Sequence, residues 1–254
     1  MMAPIPSFHG GLPYAQREHA WEFPPVSGLH EWRCGETRAI GAAVSMLLGV
    51  LAQAEDRQRH IMWVADPATT LDAGMLCPDG LAMLGLDPAR LIIVTPRHFG
   101  EALWAADQAA ACGDLAAVVL HVAGNPARLD LTATRRLLLR AQTSGTRVFI
   151  LRQGGAADAT ATITRWAVSP APSAHEKTGI GPPAFHAYLE RNRNGQTGAW
   201  QMQWDHEKRM FSHVPADKPQ ETGSADRLDP SALPADGPDR PADMGQIVAL
   251  ERAS

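Results

Sequence analysis

The sequence predicts an α/β protein: a doubly wound, mainly parallel sheet with an antiparallel hairpin towards its carboxyl end. Three observations carry that reading. Ile61–Ala65 (IMWVA), Leu91–Thr95 (LIIVT), Leu115–Ala123 (LAAVVLHVA) and Arg147–Leu151 (RVFIL) are short, apolar and rich in β-branched residues. Such runs mark strands buried on both faces, as in parallel sheets. Ala- and Leu-rich stretches of helical length lie between them, so strand and helix alternate with short connections and right-handed βαβ units. After Pro170 the texture changes, and Asn194-Gly195 and Gly198 stand between two further apolar runs, a hairpin signal.

In chain order, the first 28 residues are rich in Pro and Gly and carry scattered aromatics (Phe8, Tyr14, Trp21, Phe23). They read as an extended arm that lays anchors on the core. Leu29–Arg33 is a first short strand, and Ala39–Gln53 the helix after it. Helices are expected over Cys77–Leu84, Gly100–Ala111 and Thr132–Ala141, after the second, third and fourth strands. Gly113, Gly124 and Gly145 mark breaks. Ala171–Pro183 reads as a linker. Phe185–Arg191 and Ala199–Trp204 flank the turn, and Arg209–Val214 is a candidate third strand. The expected organisation is an arm (1–28), a core (29–214) and a tail (215–254).

Composition bounds the function. The chain has 254 residues, 45% hydrophobic and 20% charged, with a formal net charge of −4. The tail holds eight acidic and four basic residues, so it carries the whole of that charge and residues 1–214 balance at zero. A duplex binder relying on phosphate neutralisation would be clearly basic overall, which leaves only a local arginine patch for such a role. The tail has six prolines and no aromatic residue, so it is expected to be disordered, with Ile247–Leu250 its one apolar island and a candidate partner anchor. Cys34, Cys77 and Cys112 form no metal-ligand or disulfide pattern. The longest nearly apolar stretch, Ala42–Ala52, is too short to span a bilayer. MMAPIPSFHGG lacks the build of a signal peptide. A cytoplasmic, nucleoid-associated protein without membrane contact, metal or cofactor is the expectation.

The first strand-to-helix turn is where a nucleotide-binding sheet cradles phosphates. Here it reads Cys34-Gly35-Glu36-Thr37-Arg38-Ala39-Ile40-Gly41-Ala42-Ala43. A working phosphate loop needs a lysine on the β/γ-phosphates and a hydroxyl on Mg²⁺. Ala42 and Ala43 take those two places, and the first lysine of the chain is Lys177. The expectation is a degenerate loop (Gly35, Arg38, Gly41, Ala42, Ala43) that binds no cofactor, and no catalysis. Asp66, past the second strand, fits either a catalytic carboxylate or a cap. His121, at the end of an apolar strand, has no ligand partner at metal-binding spacing and reads as structural.

Residues 61–122 resemble the core of RecA-type recombinases: strand, acidic loop, helix, LGLDPARL into a strand, GEAL opening a helix, then an apolar strand. The chain resembles more specifically the ImuA family, RecA-like and also described as SulA-like. The match runs through Leu81–Leu91 (LAMLGLDPARL), Leu129–Leu139 (LDLTATRRLLL) and Ala161–Ser173 (ATITRWAVSPAPS), within residues 29–214. The resemblance implies a RecA-like fold and a role in SOS-induced translesion synthesis, beside an ImuB-like Y-family protein and an error-prone C-family DNA polymerase. RecA is a further candidate partner, and DNA contact is direct or indirect. LERNRNGQTG (189–198) also resembles the last core hairpin of hexameric replicative helicases, whose Lys-x-Arg pair reaches a neighbour's γ-phosphate. Arg191 and Arg193 match that pair, with arginine replacing the lysine. On a strand, i and i+2 share a face, and two arginines there make a rigid donor pair. The alternative for them is a solvated hairpin rim. Arg135, Arg136 and Arg140 read as the exposed face of an amphipathic helix, and Trp166 as core or as a base-stacking platform. Rival readings of the whole are a RecA-related protein with residual ATP or DNA binding, and a SulA-like cell-division inhibitor.

Overall fold

The computed structural model describes residues 27–53, 58–173, 181–193, 195 and 197–214. The arm expectation, the tail and the island Ile247–Leu250 lie outside them, except for residues 27 and 28. Nine strands form one sheet: β1 (Gly28–Cys34), β2 (His60–Ala65), β3 (Leu91–Val94), β4 (Leu115–Ala123), β5 (Arg147–Gln153), β6 (Thr164–Pro170), β7 (Ala184–Asn192), β8 (Gly198–Asp205) and β9 (Met210–His213). Their order is β3-β2-β4-β5-β1-β6-β7-β8-β9. Pairing is parallel from β3 through β6 and antiparallel from β6 through β9. The mainly parallel sheet with a carboxyl-terminal hairpin is therefore present, and Arg209–Val214 does supply a third antiparallel strand.

The helices are α1 (Ile40–Gln53), α2 (Pro67–Ala73), α3 (Pro78–Met83), α4 (Phe99–Ala110) and α5 (Leu131–Ser144). Two cores follow from the alternation of side chains along each strand. On one face Trp32, Cys34, Trp63, Val119, Phe149 and Trp166 meet α1 and α3. On the other, Leu29, Val64, Val118, Leu120, Val148 and Ile150 meet α4 and α5. α1 is the most buried helix: its residues Met46–Ala52 are all buried. Gly49 lets it approach the hairpin, because a Cβ there would sit 2.6 Å from Phe211 Cζ. α5 starts at Asp130, whose carboxylate accepts from Ala133 N–H at 2.7 Å, and ends at Gly145 with φ +77; both are expected terminus chemistry.

Two elements differ from expectation. β6 is not among the expected strands, because its charged and small residues break the apolar run. Trp166 is 3% exposed and belongs to the core on the α1 side. α2 was not expected: Asp66-Pro67 begins it, with Pro at the first helical position. Asp66 is thus a helix-start residue. Its backbone N–H donates to the His121 carbonyl at 2.9 Å, and its side chain makes no capping bond. The arginine face of α5 is partly engaged, since Arg136 and Arg140 pair with buried Asp107 of α4 at 2.8 and 3.2 Å.

Candidate functional site: an arginine rim over a buried ion-pair network

β1 lies near the middle of the sheet, flanked by β5 and β6. Its even residues enter the α1-side core, so Glu31 and Arg33 point to the opposite face. A carboxylate buried alone would be very costly, and Glu31 is fully buried. Register solves this. Arg165 of β6 stands directly beside Glu31, and Arg152 of β5 stands beside Arg33. Arg152 Nε donates to Glu31 Oε1 at 2.8 Å, Arg165 Nε to Glu31 Oε2 at 2.8 Å, and Thr160 Oγ1 to Oε2 at 3.2 Å. Burial pushes the Glu31 carboxyl up, but the two guanidiniums outweigh it and hold the group below its ordinary range.

The connection Gly154–Ile163 runs from the end of β5 to the start of β6 and closes over this network. Thr160 and Thr162 are buried, and Ala161 N–H donates to Thr134 Oγ1 of α5 at 3.0 Å. Arg165 also donates to the Asp158 carbonyl and to Thr160 Oγ1. Gly155 is required there: its φ is +85, and a Cβ would fall 2.1 Å from Asn125 Oδ1. Arg152 Nη1 donates to the Gly124 carbonyl at 2.6 Å, while its Nη2, buried, has no hydrogen-bond partner among the described residues.

Around this core sits a second tier. Arg33 makes a bidentate pair with Glu190 of β7, through Nε at 2.7 Å and through Nη2. Burial lowers the Arg33 pKa, but Glu190 more than restores it. Arg191 faces Arg165 across a bulge and donates to the Thr160 carbonyl at 2.7 Å. Burial, then the neighbouring Arg165 and Arg193, lower its pKa. Arg193 lies one residue beyond the end of β7, in the turn, and is exposed. The two arginines of the hairpin therefore do not form an i, i+2 pair on one strand. Arg191 is half-buried and tied to the 154–163 connection, and only Arg193 is a free-standing rim cation in the sense expected.

The first strand-to-helix turn lies at the carboxyl end of β1, whereas Arg191 and Arg193 are level with Glu31 and Leu29. Gly154 N–H donates to the Cys34 carbonyl at 3.1 Å, so the connection after β5 passes beside it. Thr37–Ala39 form a 3₁₀ turn ahead of α1, with Arg38 paired to Glu36 at 2.5 Å and largely exposed. Ala43 is fully buried in the α1-side core and Ala42 half-buried against it. Gly41 faces open space. The structure thus leaves Arg38 and Gly41 exposed and turns Ala43 inward, without joining the turn to the arginine network. His121 is buried on the other face of the sheet, edge-on to Trp63 with ring centroids 5.8 Å apart. Among the described residues no cluster of three metal-ligating side chains occurs, and no helix is long and apolar enough to cross a membrane.

Sequence reasoning missed Glu31, Arg33 and Arg152. Their signal was present: charges inside otherwise apolar strand segments, LHEWR and FILRQ.

No family profile matches the chain. A crystal structure of SulA from Pseudomonas aeruginosa covers 50% of this chain and 98% of its own, at 18% identity and a TM-score of 0.38, too slight a likeness to carry an argument. Protein ImuA from two Caulobacter vibrioides strains, NA1000/CB15N and ATCC 19089/CB 15, is 33% identical over 207 residues, 76% of this chain and 77% of the relative. An alignment of that length spans most of the core whose sheet order, buried ion pairs and rim are set out above, and by it the chain belongs to the ImuA family.

Proposed function

We propose that this ImuA-family chain works by binding and not by turnover, as an accessory subunit of an SOS-induced, error-prone translesion DNA synthesis complex. In this reading the core is RecA-like with a degenerate phosphate loop, and it bridges an ImuB-like Y-family protein and a C-family DNA polymerase. RecA and DNA are further candidates for contact. The observation that carries the reading is the charge balance where β5, β1, β6 and β7 lie side by side. Arg33, Arg152, Arg165, Arg191 and Arg193 gather there against Glu31 and Glu190. The arginine surplus suits a carboxylate- or phosphate-bearing partner, which arginine meets with paired donors. Among the described residues the lysine is Lys208, which pairs with Asp205 beside the β8–β9 turn.

The experiment is capture of the chain by the immobilised Y-family-like partner, by RecA and by DNA, with Arg193→Ala and Arg191→Ala/Arg193→Ala beside the parent. Arg193→Ala is expected to leave the melting temperature unchanged, since an exposed side chain costs under ~0.5 kcal/mol. An arginine anchoring an interface costs ~2 kcal/mol or more of binding when removed, so the double variant is expected to lose capture. Undiminished capture by all three would sink the role given to the rim. Titration with ATP·Mg²⁺ separates the rival reading: hydrolysis, or micromolar affinity, would favour a residual ATPase.

A further inference from the structure

We infer that a cavity on the face of the sheet opposite the arginine rim is a binding site for a compact aromatic molecule that carries one hydroxyl or N–H donor. The cavity measures about 240 Å³ and lies between α1, the α2–α3 segment and the carboxyl ends of β2, β3 and β4. An apolar cavity of roughly 150 Å³ already holds benzene, so this one has room for a single substituted ring. Its walls are mainly apolar: Trp63, Leu48 and Leu84 line it and are 3%, 4% and 7% exposed.

Ser45, Thr70, Thr95 and His121 add polar groups to that lining, and His121 is the one with a buried atom lacking a partner. His121 lines the cavity, is 95% buried as its 5% exposure implies, and its Nε2 has no hydrogen-bond partner among the described residues. Burial holds its pKa down to about 4, against the smaller opposing effect of a hydrogen bond with the Gln153 side chain. The ring is therefore neutral at pH 7 and offers one donor and one acceptor nitrogen. A buried polar nitrogen without a partner is unusual in folded proteins and points to something that supplies one. Trp63, edge-on to the imidazole, fixes the ring from one side. The combination of a mainly apolar wall and a few polar groups is the build of a small-molecule site. The mouth is formed by the irregular stretch after α2, where Met75 is 66% exposed, and by Cys77, whose free thiol is exposed.

The test uses the full chain and two probes, 4-fluorophenol and its donor-free isostere fluorobenzene, followed by fluorine NMR. The expected result is saturable binding of 4-fluorophenol, about fivefold tighter than fluorobenzene, the size of one net hydrogen bond. His121→Phe is expected to bring the two probes within about twofold of each other. Ser45→Phe, which fills the cavity from α1, is expected to abolish binding of both; Ala73→Trp does the same from α2 should Ser45→Phe unfold. Bound 4-fluorophenol is expected to slow modification of Cys77 by N-ethylmaleimide, mapped by mass spectrometry, which locates the ligand at the mouth. The inference is overturned by no saturable binding up to about 10 mM, by binding that both filling variants leave intact, or by equal affinity of the two probes in the parent.

Discussion

Replacing Glu31 by Gln tests the buried network directly. The substitution keeps shape and removes one charge from a site where two guanidiniums bond the carboxylate at 2.8 Å each and all three groups are at most 6% exposed by side chain. It leaves two buried cations facing each other with a neutral amide between them. Breaking a buried pair by removing one partner costs about 3–5 kcal/mol. For a core of this size one kcal/mol moves the melting temperature by about 2–4 °C, so a fall of roughly 6–20 °C is expected. Urea unfolding at pH 7 gives the free energy by linear extrapolation. The folded pKa of Glu31 is depressed, so its contribution is complete above its ordinary value of 4.5 and is lost as pH falls through the folded value. The difference between parent and Glu31→Gln is therefore expected to shrink when the measurement is repeated in acid. The triple change Glu31→Leu/Arg152→Met/Arg165→Met removes the charges together and is expected to recover most of the loss, as apolar replacement of whole buried ion groups does. A Glu31→Gln protein within ~0.5 kcal/mol of the parent would refute the reasoning, because it would mean that the arginines find other anions or water.

Three further outcomes follow from the same geometry. His30 and His121 are held down to about 3 and about 4 from 6.5, chiefly by burial; stability is full above pH 6.5 and falls below it by up to ~1.4 kcal/mol per pH unit for each ring. Denaturation at pH 7, 6 and 5 measures this, and His121→Gln is expected to remove about one proton's worth of the slope; an unchanged slope counts against a buried neutral ring. Gly155→Ala forces φ +85 on a residue with a Cβ 2.1 Å from Asn125 Oδ1, and a loss of about 2 kcal/mol or more is expected from strain and displacement of the 154–163 connection; a neutral thermal melt would mean the connection is not held as described. Gly49→Ala places a methyl 2.6 Å from Phe211 and 3.1 Å from Trp204, where overpacking costs about 1–3 kcal/mol; calorimetry showing a stabilised protein would instead reveal slack between α1 and the hairpin.

Period and composition made the parallel half of the sheet legible, because strands buried on both faces leave continuous apolar runs and nothing else in the chain does. Helices α1, α4 and α5 were legible for the same reason, through Ala/Leu content of helical length. β6 was not. Its sequence TRWAVSP carries a charge in its second position, and in a strand read by apolarity that charge ends the run; only the partner Glu31, more than a hundred residues away, makes Arg165 an interior residue. α2 is hidden in the sequence because a proline directly after a strand signals a loop as readily as a helix start. The hairpin was legible from its turn, but the place of Arg193 was not: whether a residue after an Asn falls on the strand or in the turn depends on the bulge opposite Arg165, a tertiary matter.

The rim and its foundation are linked by this same bulge, and that link limits what the rim can do. The register slip lets Arg191, and not Glu190, stand opposite Arg165, and Arg191 is then tied to Thr160 of the connection that covers Glu31. A partner that draws Arg191 towards its own carboxylate or phosphate must break that bond and bring two more cations, Arg165 and Arg193, to bear on the same point. Their mutual repulsion already lowers the Arg191 pKa, with burial ahead of it. An anion at the rim relieves the repulsion without moving the core, whereas a cation adds to it. In the proposed function, preference for an acidic or phosphorylated surface is set by the buried network as much as by the exposed side chain. Arg193→Glu is expected to weaken partner capture more than Arg193→Ala does, with both proteins melting at the parent temperature. Equal capture by the two variants would show that the rim's sign of charge plays no part.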